Sequence, residues 1–159
     1  MLFLVVFAAK YLYLVVILAA IIVVGKMERH RRKQLLFLGM ISLPLTFIVA
    51  RLAGYLFDDP RPFVLGNFTP LIDHAADNGF PSDHTLLTSA IAFLVLAFEK
   101  KMGLWLLLLS AIVGLARIAS GVHHIIDSAG AMVISGAVLV AILSLRKKSA
   151  PPLLRRRLR

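Results

Sequence analysis

The hydrophobic positions of the chain gather into long apolar stretches instead of alternating with polar ones. Residues 2–24 are apolar except for Lys10, and a second apolar stretch covers residues 35–57. Each stretch is long enough for a helix that crosses a bilayer, since about 20 residues span the ~30 Å hydrocarbon core. Pro44 and Arg51 interrupt the second stretch, and Pro44 predicts a kink in its helix. The pattern therefore predicts two membrane-spanning helices in the first third of the chain.

Three shorter apolar stretches follow a segment that is rich in proline and glycine. Residues 58–82 predict a loop, because proline, glycine and asparagine interrupt regular structure there. The apolar stretches beyond it predict helices with the bounds 82–98, 104–120 and 127–145. Their lengths are near the lower limit for a membrane span. We therefore expect an all-α integral membrane bundle of about five transmembrane helices, with residues 1–145 as one membrane domain and residues 146–159 as a basic tail.

The composition agrees with a membrane protein and narrows the choice of partners. The chain is 60% hydrophobic, with a mean hydropathy of +0.89, whereas soluble domains are usually nearer half apolar. The net charge of +10 would suit nucleic acid or anionic lipid, and the apolar background favours membrane lipids and no nucleic acid. Cysteine is absent, so the sequence excludes disulfides and thiolate metal sites.

The positions of the charges predict the orientation of the bundle. Fourteen of the 18 Lys/Arg residues lie in the loop 26–34, the turn 99–103 and the tail from residue 146. An alternating path of five helices puts these three segments on one side, which the positive-inside rule makes the cytoplasmic side. Six of the eight acidic residues fall on the opposite side. The first apolar stretch is expected to be an anchor, because its charges follow the apolar run and do not precede it as in a cleavable signal peptide.

Three polar patches fall on the predicted outer side and share one kind of chemistry. Arg61 and Arg117 are permanently charged, fork-shaped donors that suit phosphate oxygens. Ser82 lies at a predicted helix start, where free backbone N–H groups attract an anion. His123 and Asp127 are spaced i, i+4, so the carboxylate can orient the imidazole. With His84 as a second imidazole, these patches predict phosphoryl transfer through a phosphohistidine.

The spacing alone leaves one choice open. His124 lies i, i+3 from Asp127 and is therefore as well placed as His123 to pair with it. Taken singly, either histidine is as readily an interfacial residue as a functional one. Arg117 and Asp127 in register with them favour function.

The patches resemble the three signature motifs of the type 2 phosphatidic acid phosphatase and haloperoxidase superfamily. The motifs are Arg61-Pro62, Pro81-Ser82-Asp83-His84 and Arg117-x5-His123-x3-Asp127. Their order and spacing match over roughly residues 35–145. The stretches 57–63, 73–77 and 80–85 more closely resemble the bacitracin-resistance type of undecaprenyl-diphosphate phosphatase.

The resemblance implies a role for each residue. His123 would be the nucleophile, Asp127 its orienting partner, and His84 the acid for the leaving group and then the base for water. Arg61, Ser82 and Arg117 would bind phosphate oxygens, with Asp83 and Arg51 as further members of the phosphate site. The family register selects His123 over His124. No metal and no cofactor are expected.

The chain departs from the superfamily pattern in three places. Members often carry a lysine seven residues before the first-motif arginine, where this chain has Gly54; Arg51, one helical turn away, is a possible substitute or a residue that snorkels to the interface. Ala116 replaces a frequent serine before Arg117. Asp83 replaces a frequent glycine, as fits the closer subfamily.

The sequence thus predicts a membrane phosphatase. The expected reaction is hydrolysis of undecaprenyl diphosphate to undecaprenyl phosphate and inorganic phosphate on the outer face of a bacterial plasma membrane. The partners are the polyprenyl-diphosphate substrate and membrane lipids. An alternative is the same chemistry on phosphatidic acid or phosphatidylglycerol phosphate. A membrane transporter is disfavoured, because the ionisable residues cluster at one face instead of spreading through the depth of the helices.

Overall fold

The helices of the chain were located in a computed structural model, which describes residues 2–149. Within this range the protein is helical, with one isolated two-residue bridge between Pro60 and Asn78. The helices are α1 (Leu2–Lys26), α2 (Arg29–Leu56), α3 (Pro62–Leu65), α4 (Asp83–Leu96), α5 (Lys100–Ala119) and α6 (Ile125–Ser149). The expectation of an all-α membrane bundle is confirmed.

Four of these helices are long and apolar enough to cross a bilayer. They are α1, α2, α5 and α6, and each carries many exposed leucine, isoleucine, valine or phenylalanine side chains on its outer surface. Such a surface suits hydrocarbon as its solvent. The helix α4 has only 14 residues and rises about 21 Å, which is short of the ~30 Å core. The chain is therefore a multi-pass membrane protein whose shortest apolar helix differs from the others.

The short helix α4 lies at the centre of the bundle. It packs against α1, α2, α5 and α6, so most of its side chains are buried. Its polar side chains bond to its neighbours: Thr88 Oγ1 lies 2.8 Å from Ser110 Oγ of α5, and Ser89 Oγ donates to Ser135 Oγ of α6 at 2.9 Å. Hydroxyl pairs and small residues let membrane helices approach closely without leaving polar atoms unpaired.

A glycine permits the tightest of these approaches. A Cβ on Gly103 of α5 would lie 2.2 Å from the Cα of Leu96, so only glycine fits where α5 passes the end of α4. The α4–α5 hairpin is therefore fixed at its turn as well as along its length.

The helix bounds differ from the expected ones most clearly at four points. The helix α2 begins at Arg29 instead of residue 35, so most of the expected basic loop 26–34 is helical. The helix α5 begins at Lys100 instead of Leu104, since the lysines expected in a turn form its first turn. The loop 58–82 contains the short helix α3, which Pro62 begins with its fixed φ. The helix α6 continues to Ser149, so the first residues of the expected basic tail are helical. The rest of that tail, residues 150–159, lies outside the described residues.

The two ends of the bundle are formed by different connecting segments. At one end, Arg31 Nη1 bonds to Glu99 Oε1 at 2.6 Å, and its Nη2 donates to the carbonyl oxygen of Phe98. This contact joins the first turn of α2 to the α4–α5 turn, within two of the three basic segments. The loop 57–82 and the α5–α6 connection lie at the other end, where Leu71 N donates to Ser120 O at 3.0 Å. All three motifs therefore meet at one end of the bundle.

Candidate active site

The centre of the site is a histidine–aspartate pair at the start of α6. His123 Nδ1 lies 3.1 Å from Asp127 Oδ2, and both side chains are almost fully buried. His123 is in the α5–α6 connection, and its pKa is lowered chiefly by burial and also by the charges of Arg61 and Arg117, against the raising effect of Asp127. The ring is therefore neutral near pH 7, with a proton on Nδ1 and a lone pair on Nε2. This is the tautomer that a nucleophilic imidazole requires.

The other histidine of the pair has a different partner. The backbone N–H of His124 donates to Asp127 Oδ2 at 2.8 Å, whereas the ring Nδ1 lies 3.1 Å from Asp59 Oδ2. The two histidines were equivalent by spacing, and the structure separates them. Of the two rings, that of His123 is hydrogen-bonded to Asp127 and that of His124 to Asp59.

Arg117 supplies buried positive charge and hydrogen-bond donors that are unpaired among the described residues. Its side chain comes from the last turn of α5, and the residue is 4% exposed. Its Nε and Nη2 atoms are buried and have no hydrogen-bond partner among the residues that the structure describes. A buried unpaired donor is costly, and two on one guanidinium match the paired oxygens of a phosphate.

Arg61 holds the site together through its own hydrogen bonds. Its Nε donates to Asp77 Oδ1 at 2.8 Å, its Nη1 to Val122 O at 2.8 Å and its Nη2 to Asn78 O at 3.3 Å. Its Nη1 also lies 3.3 Å and 3.4 Å from the two ring nitrogens of His123. These nearly equal distances place the guanidinium beside the ring. Arg61 thus fastens the long loop to the histidine while adding positive charge next to it.

Ser82 and His84 enter the site from the start of α4. Ser82 is the N-cap residue and is fully buried; its N–H donates to Asp127 O at 3.2 Å, and its Oγ accepts a bond from Thr85. The His84 ring packs edge-to-face on Tyr13 of α1, with the ring centroids 4.7 Å apart. His84 is within electrostatic range of Arg117 and His123. Tyr13 is a residue that the sequence did not indicate.

Arg51 and Asp83 form an ion pair with each other. Arg51 Nη2 lies 3.2 Å and 3.3 Å from the two carboxylate oxygens of Asp83, and both side chains are more than half exposed. Their place in the phosphate site stays a prediction. At the position of the superfamily's lysine, a Cβ on Gly54 would lie 2.7 Å from the carbonyl oxygen of Phe80. No side chain fits there, which explains why the lysine is missing.

The long loop contributes residues that sequence reasoning passed over. The ring centroid of His74 lies 6.0 Å from that of His123. Its pKa is lowered by burial and by the nearby Arg61. For Asp77, burial raises the pKa, but the hydrogen bond and charge of Arg61 outweigh it and lower the pKa overall. The signal for both residues was their place in the stretch 73–77, which resembles the closer subfamily.

One group of side chains has the composition of a metal site. Ligand atoms of Asp59, His124 and Asp127 all lie within 4.8 Å of one another. No metal was expected, and the structure gathers these three possible ligands. Two of them also bond to each other through His124 Nδ1 and Asp59 Oδ2. Hydrogen bonding thus accounts for part of their proximity, and metal independence stays a prediction.

Two adjoining cavities lead to this end of the bundle. A polar cavity of about 370 Å³ is lined by residues that include Arg51, Arg61, Asp77 and Asp83. An apolar cavity of about 310 Å³ lies between α2 and α4 and shares Arg51 and Asp83 with it; the rest of its lining is Leu43, Thr46, Phe47, Leu86, Leu87 and Ala90. The pair of cavities suits a molecule with one charged and one apolar end.

The chain is a membrane helix bundle with two buried arginines around a histidine–aspartate pair, an arrangement of charge that suits phosphate oxygens. The model of the PAP2 superfamily matches residues 8–151. The chain belongs to the PAP2 superfamily. The resemblance expected from the three motifs is thereby confirmed.

Two curated relatives agree with this assignment. The chain is 41% identical over 124 residues to the bacitracin transport permease protein BcrC of Bacillus licheniformis, covering 76% of this chain and 61% of the relative. It is 34% identical over 115 residues to undecaprenyl-diphosphatase BcrC of Bacillus subtilis strain 168, covering 72% and 58%. The chain thus spans about three fifths of the length of these relatives.

The solved structure supports the fold alone. The crystal structure of Aquifex aeolicus LpxE superposes with a TM-score of 0.70 at 24% identity, covering 89% of this chain and 86% of that chain. At that identity the likeness shows that the two chains share a helical architecture.

Proposed function

We propose that the protein is a lipid-diphosphate phosphatase that hydrolyses undecaprenyl diphosphate to undecaprenyl phosphate and inorganic phosphate. One observation carries the proposal: a neutral, aspartate-held imidazole lies among the buried guanidinium groups of Arg61 and Arg117, and two donors of Arg117 have no partner among the described residues. The name of the Bacillus subtilis relative supplies the particular substrate.

The first chemical step forms a phosphohistidine. The Nε2 lone pair of His123 attacks the terminal phosphorus, an N–P bond forms, and the bond from phosphorus to the bridging oxygen breaks. The electron pair leaves with the lipid monophosphate, which takes a proton from His84. Arg117 and Arg61 stabilise the charge on the phosphoryl oxygens, and Asp127 stabilises the imidazole as it becomes positive.

The second step releases inorganic phosphate. His84 now accepts a proton from water, the water oxygen bonds to phosphorus, and the N–P bond breaks. His123 returns to its neutral form with the proton still on Nδ1. General acid–base transfer of this kind is typically worth ~10²–10⁴ in rate.

The two cavities suggest how the lipid lies. The polar cavity next to Arg61 would admit the diphosphate toward His123 and Arg117, which do not line it, and the apolar cavity between α2 and α4 would receive the first part of the hydrocarbon chain. The exposed ion pair of Arg51 and Asp83 lies where the cavities adjoin. Arg51 would contact the phosphate that remains on the lipid. By the positive-inside rule, we expect this end of the bundle on the extracytoplasmic face of a bacterial plasma membrane and the C-terminal segment in the cytoplasm.

The test is phosphate release by the purified protein in detergent. A substrate panel should contain a polyprenyl diphosphate, phosphatidic acid and phosphatidylglycerol phosphate, and the diphosphate should give the highest kcat/KM. A higher kcat/KM for a glycerolipid would change the assigned substrate and leave the proposed reaction unchanged. No release from any of the three would contradict the proposal.

The intermediate provides a sharper test. Protonation matters less for a lipid phosphate than for an alkoxide leaving group, so His84→Ala should still form phosphoenzyme slowly but fail to activate water. This variant should therefore accumulate label from a lipid diphosphate labelled in the terminal phosphate. His123→Ala should form none.

Activity should also survive EDTA; complete loss of activity that magnesium restores would indicate a metal-assisted reaction instead.

A transport function is the second candidate, because the Bacillus licheniformis relative is named a transport permease. A transport pathway calls for ionisable residues through the depth of several helices. In the described part of this chain the buried ionisable side chains are Arg61, Arg117, His123 and Asp127, all at one end. Bacitracin flux into proteoliposomes that His123→Ala leaves unchanged would favour transport.

A further inference from the structure

A second carboxyl group lies against Asp127. Asp127 Oδ2 contacts His123 Nδ1 at 3.1 Å and accepts the His124 backbone N–H at 2.8 Å. The other oxygen, Oδ1, is buried and has no hydrogen-bond partner among the described residues. One carboxylate oxygen of Asp59, one of Asp127 and one ring nitrogen of His124 all lie within 4.8 Å of one another. Asp59 comes from the loop two residues before Arg61, far from Asp127 in sequence.

Two ionised carboxylates in this position would be unfavourable. They would repel each other, and Asp127 Oδ1 would stay buried without a donor. A single proton removes both problems, because a neutral carboxylic acid is a donor as well as an acceptor. The pKa of Asp59 is raised, first by burial and then by Asp127, against the lowering effect of His124. Asp59 is the member of the pair that more readily holds the proton.

We propose that Asp59 is a positioning residue that acts as a carboxylic acid, donating its proton to Asp127 Oδ1 and accepting a hydrogen bond from His124 Nδ1 at its own Oδ2. The observed 3.1 Å distance between His124 Nδ1 and Asp59 Oδ2 fits this acceptor role. The network then satisfies both Asp127 oxygens, the carboxyl of Asp59 and the Nδ1–H of His124.

The consequence for the reaction passes through His123, so this inference rests on the proposed function. An Asp127 carboxylate held from both sides keeps its Oδ2 aimed at His123 Nδ1. That hydrogen bond fixes the proton on Nδ1 and leaves Nε2 free to attack phosphorus. Loss of the Asp59 proton would leave Asp127 beside a second negative charge, with one oxygen unpaired.

The proton can be detected without any substrate. The infrared difference between wild-type protein and Asp59→Asn at neutral pH should contain the carbonyl stretch of a protonated carboxylic acid. The matched control is Asp58→Asn, which changes the exposed neighbouring carboxylate, and its difference spectrum should lack this band. If the Asp59→Asn difference also lacks the band, the inference is wrong whatever the lipid substrate is.

Kinetics test the positioning role. Asparagine can donate to Asp127 and accept from His124, so Asp59→Asn should form phosphoenzyme at close to the wild-type rate. Asp59→Ala leaves both neighbours unpaired and should be about 10–100-fold slower, the range found when a partner that orients a metal-binding histidine is removed. Equal damage in the two variants, or full activity in Asp59→Ala, would overturn the inference. Melting in detergent shows whether either variant unfolds.

The pH dependence gives a third outcome. The titratable groups that face the Asp59–Asp127 pair are His123 and His124, and the Asp59→Asn variant retains both histidines. As the pH rises through the raised pKa of Asp59, wild-type phosphorylation should fall, and Asp59→Asn should not show this fall. Identical profiles would contradict the proton bridge. Activation by zinc after chelation would also contradict it, because a metal would then join the two carboxylates.

Discussion

Arg61 and Arg117 carry the same charge at the same site but use their donors differently. Arg61 gives its N–H groups to Asp77, Asn78 and Val122, three residues of two separate connections. Arg117 keeps two donors buried and unpaired. The first arginine therefore contributes mainly to the stability of the site, and the second is prepared for a ligand.

Lysine substitutions should separate these two contributions. Arg117→Lys removes the fork that matches phosphate, so kcat/KM should fall by about 10–100-fold, the equivalent of ~1.5–3 kcal/mol for hydrogen bonds to a charged group. Its melting temperature should change little. Arg61→Lys should lower the melting temperature as well as the activity. Both are measured on protein in the same detergent, and a melting temperature that falls more in Arg117→Lys would contradict the distinction.

The two adjacent histidines should also differ. His123→Ala removes the imidazole that contacts Asp127 and should abolish both turnover and phosphoenzyme. His124→Ala leaves the backbone N–H that bonds to Asp127 and should keep most of the activity. A dead His124→Ala variant beside an active His123→Ala variant would mean that the register of the third motif is wrong.

The protonation of His123 predicts the acid side of the pH profile. Attack on phosphorus needs the neutral ring, and burial lowers the pKa of His123 below the ordinary value. The neutral form therefore persists to lower pH than it would in an exposed histidine. Phosphoenzyme formation should begin to fall only below pH ~6.5, the pKa of an unperturbed histidine. A fall centred above that value would contradict the burial of the nucleophile.

Helix α2 affects the site through its backbone. At Gly54 the helix approaches the loop so closely that a Cβ would lie 2.7 Å from Phe80 O, and the next residues of that loop lead into Ser82. A side chain there would displace the loop from α2. The path of the loop, and with it Asn78 and Asp77, depends on this contact.

A pair of glycine substitutions tests this contact. Gly54→Ala should destabilise the protein by about 1–3 kcal/mol, since overpacking against backbone forces a shift, and it should lower activity. Gly25→Ala is the matched control: it is also helical, but nothing lies within 4 Å of its added Cβ. Thermal unfolding of the two variants measures the difference. Equal stability would show that the loop moves without cost.

The bundle as a unit has an orientation that the charges predict. The chain lacks cysteine, so single cysteines can be introduced without a background. Asn67→Cys in the long loop should react with an impermeant thiol reagent in intact cells, and Ser149→Cys should not. Both should react after the membrane is opened. The reverse pattern in intact cells would place the site in the cytoplasm.

The sequence predicts the elements of this protein better than the contacts of its loops. Apolar stretches of helical length were enough for the all-α bundle, and three spaced motifs pointed to His123, Asp127, Arg61 and Arg117, which the structure brings to one end; their roles stay predictions. The pairing of Asp59 with His124 joins residues 65 positions apart through a loop without periodicity. Similarly, no local signal distinguishes a lysine-rich turn from the first turn of α5, because lysine is a good helix former.

The central position of α4 has a consequence for how the protein reaches the membrane. A segment of 14 residues that begins with Asp83 and His84 and includes hydroxyl side chains is a weak candidate for insertion by itself, since ionisable residues are costly in hydrocarbon. Its hydroxyl groups find partners on Ser110 and Ser135, which are synthesised later. We therefore expect α4 to enter the bilayer only with α5, as a hairpin, during translation. The part of the chain that carries Ser82 and His84 would then wait at the translocon until its neighbours have been made.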